Sequence, residues 1–164
     1  MNIENNCNYI NVPGVSALWY APMSAITLPF SVENSILIPQ NIISSQPLHS
    51  IKPLHNSLQF GSVLESSANG STYTQIVKGR FSNAEKAVVA NLSSLTNKRL
   101  FVIFKDHTNQ YRFITNALIS LETDTSTILG EAATAFSFSS KSKQQHYFYT
   151  GAASVSASGT LSFT

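Results

Sequence analysis

The sequence predicts a mainly-β domain of the α+β kind, with antiparallel sheets packed as a sandwich or barrel and one flanking helix. Three observations predict it. Apolar segments separated by prolines occupy the first third of the chain, strand-like runs occupy the remainder, and one stripe of apolar residues at helical spacing lies among those later runs. With 164 residues, the chain can bury about two-thirds of its unfolded surface. We therefore expect one domain over residues 1–164, with a β-rich core at 14–150.

The first third of the core is predicted to hold short strands and no helix. All six prolines lie within the first 56 residues, and proline is confined to strand edges, bulges and turns because it lacks an N–H donor. Short apolar runs lie between them, at residues 17–20, 26–28 and 35–38. Before these runs, residues 1–13 are expected to be an extended arm.

A β-hairpin is predicted next. Residues 58–65 roughly alternate apolar and polar side chains, and residues 72–81 read as the returning strand. Between them, Asn69 and Gly70 tolerate the positive φ angles that tight hairpin turns require.

One helix is predicted at about residues 83–96. Ser82 and Glu85 have the spacing of a capping box, and Asn97 can end the helix in the left-handed conformation. The apolar residues that fall on one stripe at helical spacing are Ala84, Val88, Leu92 and Leu95. A helix with one apolar stripe is expected to lie on a sheet.

The remaining chain is predicted to be strands. Residues 100–104 form a continuous apolar run, too short for a second helix, and residues 105–110 form a polar turn. Strands are then expected at 111–114, 117–123, 133–139 and 145–150, followed at 151–164 by a C-terminal arm or edge strand. Two packing alternatives are open under the helix residues Val88, Leu92 and Leu95: either Phe101 and Ile103, or Val102 and Phe104.

The composition favours an assembly component. Charged residues make up 11% of the chain, against about a quarter in a typical soluble protein, and 25 serines, 13 threonines and 14 asparagines replace them. Charged residues are depleted at the cores of protein interfaces, so we expect a homo-oligomer. The ten basic residues are scattered, which argues against sequence-specific nucleic-acid binding.

No motif in the sequence indicates catalysis, a cofactor or a metal site. Cys7 is the single cysteine, and the four histidines have no metal-binding spacing. Asp106 and His107 are adjacent, which is typical of a solvated turn and not of a proton-transfer pair. Glu122 and Asp124 share a strand face, but neither the further ligands of a calcium site nor the partners of a hydrolase accompany them.

No apolar run approaches the roughly 20 residues of a membrane-spanning helix. Residues 1–11 lack the basic start and apolar stretch of a secretory signal. We therefore expect a protein without a membrane partner, made in a cytoplasm and not exported.

Three groups of segments resemble the small tail structural proteins of tailed bacteriophages and prophages. The opening resembles theirs in ALWYAP at residues 17–22. The centre resembles theirs in QIVKGRF at 75–81, the capped helix, KRLFVIFKD at 98–106 and QYRFI at 110–114. The last strand pair resembles theirs in AFSFS at 135–139 and HYFY at 146–149.

This resemblance implies a tail-tube-like fold whose subunits join edge to edge into rings. The expected function is that of a virion structural protein with no enzymatic activity, a ring-forming component of the tail tube, tail terminator or head–tail connector. Its expected partners are copies of itself and other tail or connector proteins, and its location is the virion, assembled in the cytoplasm of a bacterial host. The alternative is a carbohydrate-binding β-domain of a fibre or adhesin, with an aromatic surface formed by Trp19, Tyr147 and Tyr149.

Overall fold

The fold was established from a computed structural model of the chain. It describes residues 14–28, 32–33, 36–37, 42–54, 56–82, 86–128, 131–143 and 147–163. The expected N-terminal arm at 1–13, Cys7 and the capping residue Glu85 lie outside the described residues. The predicted mainly-β fold with antiparallel sheets and one α-helix is confirmed.

The fourteen strands in the described part of the chain are β1 (Val15–Pro22), β2 (Ile26–Thr27), β3 (Val32–Glu33), β4 (Ile36–Leu37), β5 (Ile43–Ser44), β6 (His49–Ile51), β7 (Gln59–Ser67), β8 (Gly70–Ser82), β9 (Leu100–Asp106), β10 (Tyr111–Ile128), β11 (Glu131–Ser142), β12 (Tyr147–Tyr149), β13 (Ala153–Val155) and β14 (Leu161–Phe163). The α-helix, α1, spans Lys86–Ser93. A single 3-10 turn at Met23–Ala25 follows β1, where the sequence predicted no helix.

Two large sheets share strand β10. The central sheet has the order β6-β1-β9-β10-β12-β4-β3, and only its β12–β4 pair is parallel. The open sheet is formed by β7, β8, β11 and residues 118–128 of β10, in the order β7-β8-β11-β10. The register shifts between Ile114 and Ala117, and Asn116 there has φ 54°. This bulge lets one strand leave the first sheet and enter the second.

The central sheet is buried on both faces. Residues 100–104 of β9 are all buried, as expected of a strand covered on two sides. One face packs against the inner face of the open sheet and α1, with Val102 and Phe104 in the same cluster as Val77, Phe136 and Leu92. The other face packs against the short strands, and its cluster includes Trp19, Phe101, Ile103, Ile42 and Leu161. The result is three layers with two separate cores.

The structure decides between the two packing alternatives for the helix. Leu92 is buried, and Val88 and Leu95 pack against the same cluster, which holds Val102 and Phe104. Phe101 and Ile103 belong to the opposite core, so the alternative that placed them under the helix is wrong. Successive β9 side chains point to opposite faces, and only one set can meet the helix.

Several boundaries differ from the predicted ones. The predicted strands at 111–114 and 117–123 are one strand, β10, because the bulge at Asn116 bends the backbone without ending it. The helix ends at Ser93, and turns follow as far as Asn97, whose φ of 71° confirms the left-handed conformation. The C-terminal segment is a hairpin of β13 and β14 that folds back on the core at Leu161, and not an extended arm.

Candidate assembly surface

The open sheet buries one face and leaves the other exposed. On β8, Val77, Gly79 and Phe81 are buried and Lys78 and Arg80 are exposed, as the period of two requires. We call the exposed side the open face. The opposite, buried face of the same sheet carries aromatic rings, and Phe81 and Phe136 stack there with centroids 4.5 Å apart.

Strand register places the side chains of the open face in rows. One row holds residues that face each other across all four strands: Gln59, Lys78, Ser137 and Ser120. The neighbouring row is formed by Arg80, Ala135 and Glu122. In the second row, the small Ala135 on β11 lies between the long side chains of Arg80 and Glu122, which leaves a depression in the open face. A cleft of about 790 Å³ lies over these rows, and residues 54, 56 and 57 add to its lining.

An ion pair marks the other end of the open face. Lys141 Nζ lies 3.0 Å from Glu65 Oε2, and Thr74 Oγ1 donates a hydrogen bond to Glu65 Oε1 at 3.0 Å. These hydrogen bonds from Lys141 and Thr74, followed by the charge of Lys141, lower the pKa of the Glu65 carboxyl. The pair is exposed, so it contributes little to stability.

Strand β7 is the first edge of the open sheet. It runs for nine residues, Gln59–Ser67, and pairs only with β8 among the strands described. Val63 is 59% exposed and Leu64 52% exposed. Natural edge strands are blunted by proline, lysine or short length, whereas β7 contains neither residue and Glu65 is its one charge. It is therefore a long edge with little to block pairing.

Residues 118–128 of β10 form the second edge. They pair with β11 on one side, and no other described strand pairs with them. This stretch also contains no proline, lysine or arginine, and its two charges are Glu122 and Asp124. Leu118 is exposed. The two edges lie on opposite sides of one sheet whose strands alternate in direction. If the β10 edge of one such sheet were placed beside the β7 edge of another, the two strands would therefore run antiparallel.

The aromatic residues of the alternative interpretation do not form an exposed surface. Trp19 is 4% exposed, and its Nε1 donates a hydrogen bond to the Gly159 carbonyl at 2.8 Å. Tyr149 is 5% exposed and donates from its hydroxyl to the Ala152 carbonyl at 3.1 Å. Tyr147 stacks on Phe113 at 5.1 Å. The predicted aromatic surface is therefore wrong, because Trp19 and Tyr149 are buried in the second core and the partly buried Tyr147 packs against it.

Asp106 has a structural role in the turn between β9 and β10. Its Oδ1 accepts hydrogen bonds from the Thr108 and Gln110 backbone amides at 2.9 and 3.0 Å, and its Oδ2 lies 3.0 Å from an Arg112 guanidinium nitrogen. Burial raises the pKa of Asp106, but a hydrogen bond from the Thr108 hydroxyl, the two backbone hydrogen bonds and the Arg112 charge outweigh it, so the net shift is downward. The adjacent His107 is exposed and takes no part in this network.

Glu122 and Asp124 lie two residues apart on β10, the strand arrangement that the sequence predicts. Glu122 is exposed on the open face. Across the ranges that the structure describes, no group of three His, Cys, Asp or Glu side chains could hold a metal ion.

The grouping of Lys78, Arg80 and Glu122 at one cleft is not among the features predicted from the sequence. Lys78 and Arg80 are separated by one residue on a predicted strand, which was a usable signal for a shared face. Their approach to Glu122 depends on strand order, which spacing along the chain does not give.

Together these features define a class: a mainly antiparallel β-domain with one open sheet, two edges that lack proline and lysine, and an open face that carries charged, polar and some apolar side chains. No family model, curated protein or solved structure matches this chain. Among its described segments, no helix has the length and apolar character needed to cross a membrane.

Proposed function

We propose that the protein is a virion structural subunit, a ring-forming component of a bacteriophage tail or head–tail connector. The observation that carries the proposal is the pair of unblocked edges on opposite sides of the open sheet. Copies would join head to tail through these edges, and the ring would assemble in the cytoplasm of the bacterial host before entering the virion.

Backbone chemistry supports a contact of this kind. An edge strand presents unpaired N–H and C=O groups, which invite pairing with another chain. A head-to-tail contact closes into a ring when the rotation from copy to copy divides a full turn, and otherwise gives an open filament. Since both edges belong to one sheet of alternating strands, each added copy would continue the antiparallel pattern without a break.

The composition and the exposed apolar side chains support the same contact. Val63 and Leu64 on β7 and Leu118 on β10 are exposed at the two edges, where a neighbouring strand would cover them. Only 11% of the residues are charged, as suits a chain that buries much of its outside. Among possible assemblies, the segments that resemble phage tail proteins favour a tail or connector ring.

The test is the oligomeric state of the purified protein together with its presence in virions. Mass measurement by analytical ultracentrifugation and negative-stain imaging should show closed rings at high protein concentration. Mass spectrometry of purified virions from a producing host should detect the chain. A protein that stays monomeric at high concentration and is missing from the virions would refute the proposal.

A further inference from the structure

The cleft on the open face combines two cations with many neutral hydrogen-bonding groups. Lys78 and Arg80 are exposed and alternate on β8, so their Cα atoms lie about 7 Å apart on the same side of the strand. The neutral polar residues that line the same cleft are Asn56, Ser57, Gln59, Ser120 and Ser137.

A carboxylate faces these cations from the other side of the cleft. Glu122 stands in the row of Arg80, and β11 separates the two strands. Neighbouring strands are about 4.8 Å apart, so the backbones of β8 and β10 are about 10 Å apart. The cleft is therefore polarised, with positive charge over β8 and negative charge over β10.

The wall beside β8 is fixed by hydrogen bonds. The Leu54 amide donates to the Arg80 carbonyl at 2.8 Å, and the Arg80 amide donates to Ser57 Oγ at 3.2 Å. This segment is anchored to β8 by hydrogen bonds and is part of the cleft before any ligand arrives. Preorganisation lowers the entropy lost on binding.

We propose that this cleft binds an anionic saccharide unit, a sugar that carries one carboxylate or phosphate group. Lys78 and Arg80 would hold the anionic group through charge-assisted hydrogen bonds. The serine hydroxyls and the Gln59 amide would contact the sugar hydroxyls, and Glu122 would accept hydrogen bonds from hydroxyls at the far end.

The lining favours this class over two others. Apolar residues such as Leu54 and Ile76 form part of the lining. An apolar ligand would nevertheless also cover hydroxyls, amides and three charged groups, and their desolvation is unfavourable. A long polyanion would have to pass Glu122, and like charges repel. A compact ligand with its anion at one end and hydroxyls at the other matches the polarity of the cleft.

The test is isothermal titration calorimetry with three probes built on the same sugar: glucuronate, glucose 6-phosphate and neutral glucose. At least one acidic probe should bind saturably, and glucose should bind at least about tenfold more weakly, since a charge-assisted contact is worth that factor or more. Binding of glucuronate alone identifies the anion as a carboxylate, and binding of glucose 6-phosphate alone identifies it as a phosphate.

A double variant with a matched control locates the site. Lys78→Gln with Arg80→Gln should weaken acidic-probe binding at least about tenfold. The control is Lys98→Gln with Lys143→Gln, which removes two exposed cations that do not line the cleft and should leave binding unchanged. Circular dichroism checks that both variants are folded.

Three results would overturn the proposal: no binding of either acidic probe, equal binding of glucose, or an equal loss in both double variants. The last would show attraction to net charge in place of a site. The titration measures sugar binding whether or not the protein forms rings, so its failure is distinct from a failure of the proposed assembly.

Discussion

Asp106 shows how a single carboxylate can hold a turn. Its two oxygens accept hydrogen bonds from Thr108, Gln110 and Arg112. The Arg112 guanidinium also lies 4.7 Å from the centre of the Phe148 ring. The turn that joins β9 to β10 is thereby tied to β12. The adjacent His107 contributes to none of these bonds, which is consistent with a structural turn and not with an acid–base pair.

Replacing Asp106 by Asn should destabilise the fold by about 1–3 kcal/mol at neutral pH, because charged acceptor bonds are lost in a mostly buried setting. The folded pKa of Asp106 is lowered, so its contribution is present above the unfolded value of about 3.9 and is lost as the pH falls through the folded pKa. Urea unfolding of both proteins from pH 7 to pH 2 measures the difference. A gap that stays constant over this range would contradict the assignment.

Gly79 is required by its surroundings on the inner face of β8. A Cβ added there would lie 2.7 Å from Phe136 Cζ and 3.0 Å from Leu58 Cδ2, and the Phe136 ring is itself held by Phe81. Gly79→Ala should therefore cost about 1–3 kcal/mol through overpacking, measured by denaturant unfolding.

Gly61 on the neighbouring strand β7 provides the matched control. A Cβ there meets nothing within 4 Å, so Gly61→Ala should be neutral or stabilise by up to about 1 kcal/mol. Equal effects of the two substitutions would mean that the close contact at Gly79 does not determine stability.

At the scale of the elements, strand β9 contributes alternate side chains to two cores, and α1 packs on one of them. Leu92 is buried with Val102 and Phe104, whereas Phe101 and Ile103 enter the core on the other side of the sheet. The C-terminal hairpin closes that second core: Leu161 is buried in it, and Phe163 meets Tyr149 edge-on at 5.2 Å. Each core thus draws on segments far apart in the chain.

Leu92→Ala should destabilise the protein by about 2–5 kcal/mol, because the side chain is fully buried and its removal leaves a cavity. Thermal and urea unfolding measure the loss. Asn91→Ala, at an exposed position on the same helix, is the control and should change stability by about 0.5 kcal/mol or less. A loss below about 0.5 kcal/mol for Leu92→Ala would show that the helix stripe faces water.

At the scale of the whole molecule, the open sheet is the part that the other elements cover least. The central sheet is covered on both faces, but the open sheet has one exposed face and two edges without a described partner strand. These edges are where our proposed contact between copies would form.

Val63→Lys should prevent assembly, because a lysine on an edge strand opposes pairing with another chain. Val155→Lys is the matched control: Val155 is also an exposed valine on a strand, but β13 lies outside the open sheet. Sedimentation should show smaller species for Val63→Lys and unchanged assemblies for the control, with both variants folded. Equal behaviour of the two variants would place the contact elsewhere.

Local signals in the sequence were sufficient for several elements. The hairpin of β7 and β8, the buried strand β9 and the turn after it all lie where alternation, apolar runs and turn residues predict them. Asparagine was also informative: the non-glycine residues with positive φ in the described part of the chain are Asn56, Asn97, Asn109 and Asn116. Asparagine adopts this conformation more readily than most residues, and Asn97 was predicted to do so.

What the sequence by itself determined is the period and order of the elements, since a strand or helix pattern depends on neighbours a few residues away. Only the tertiary structure decided which face of β9 meets the helix. It also decided that Trp19 donates a hydrogen bond to Gly159 in the C-terminal hairpin. The same holds for the cleft that Lys78, Arg80 and Glu122 line together. The physical reason is that alternation assigns side chains to two faces, while strand order and packing choose what covers each face.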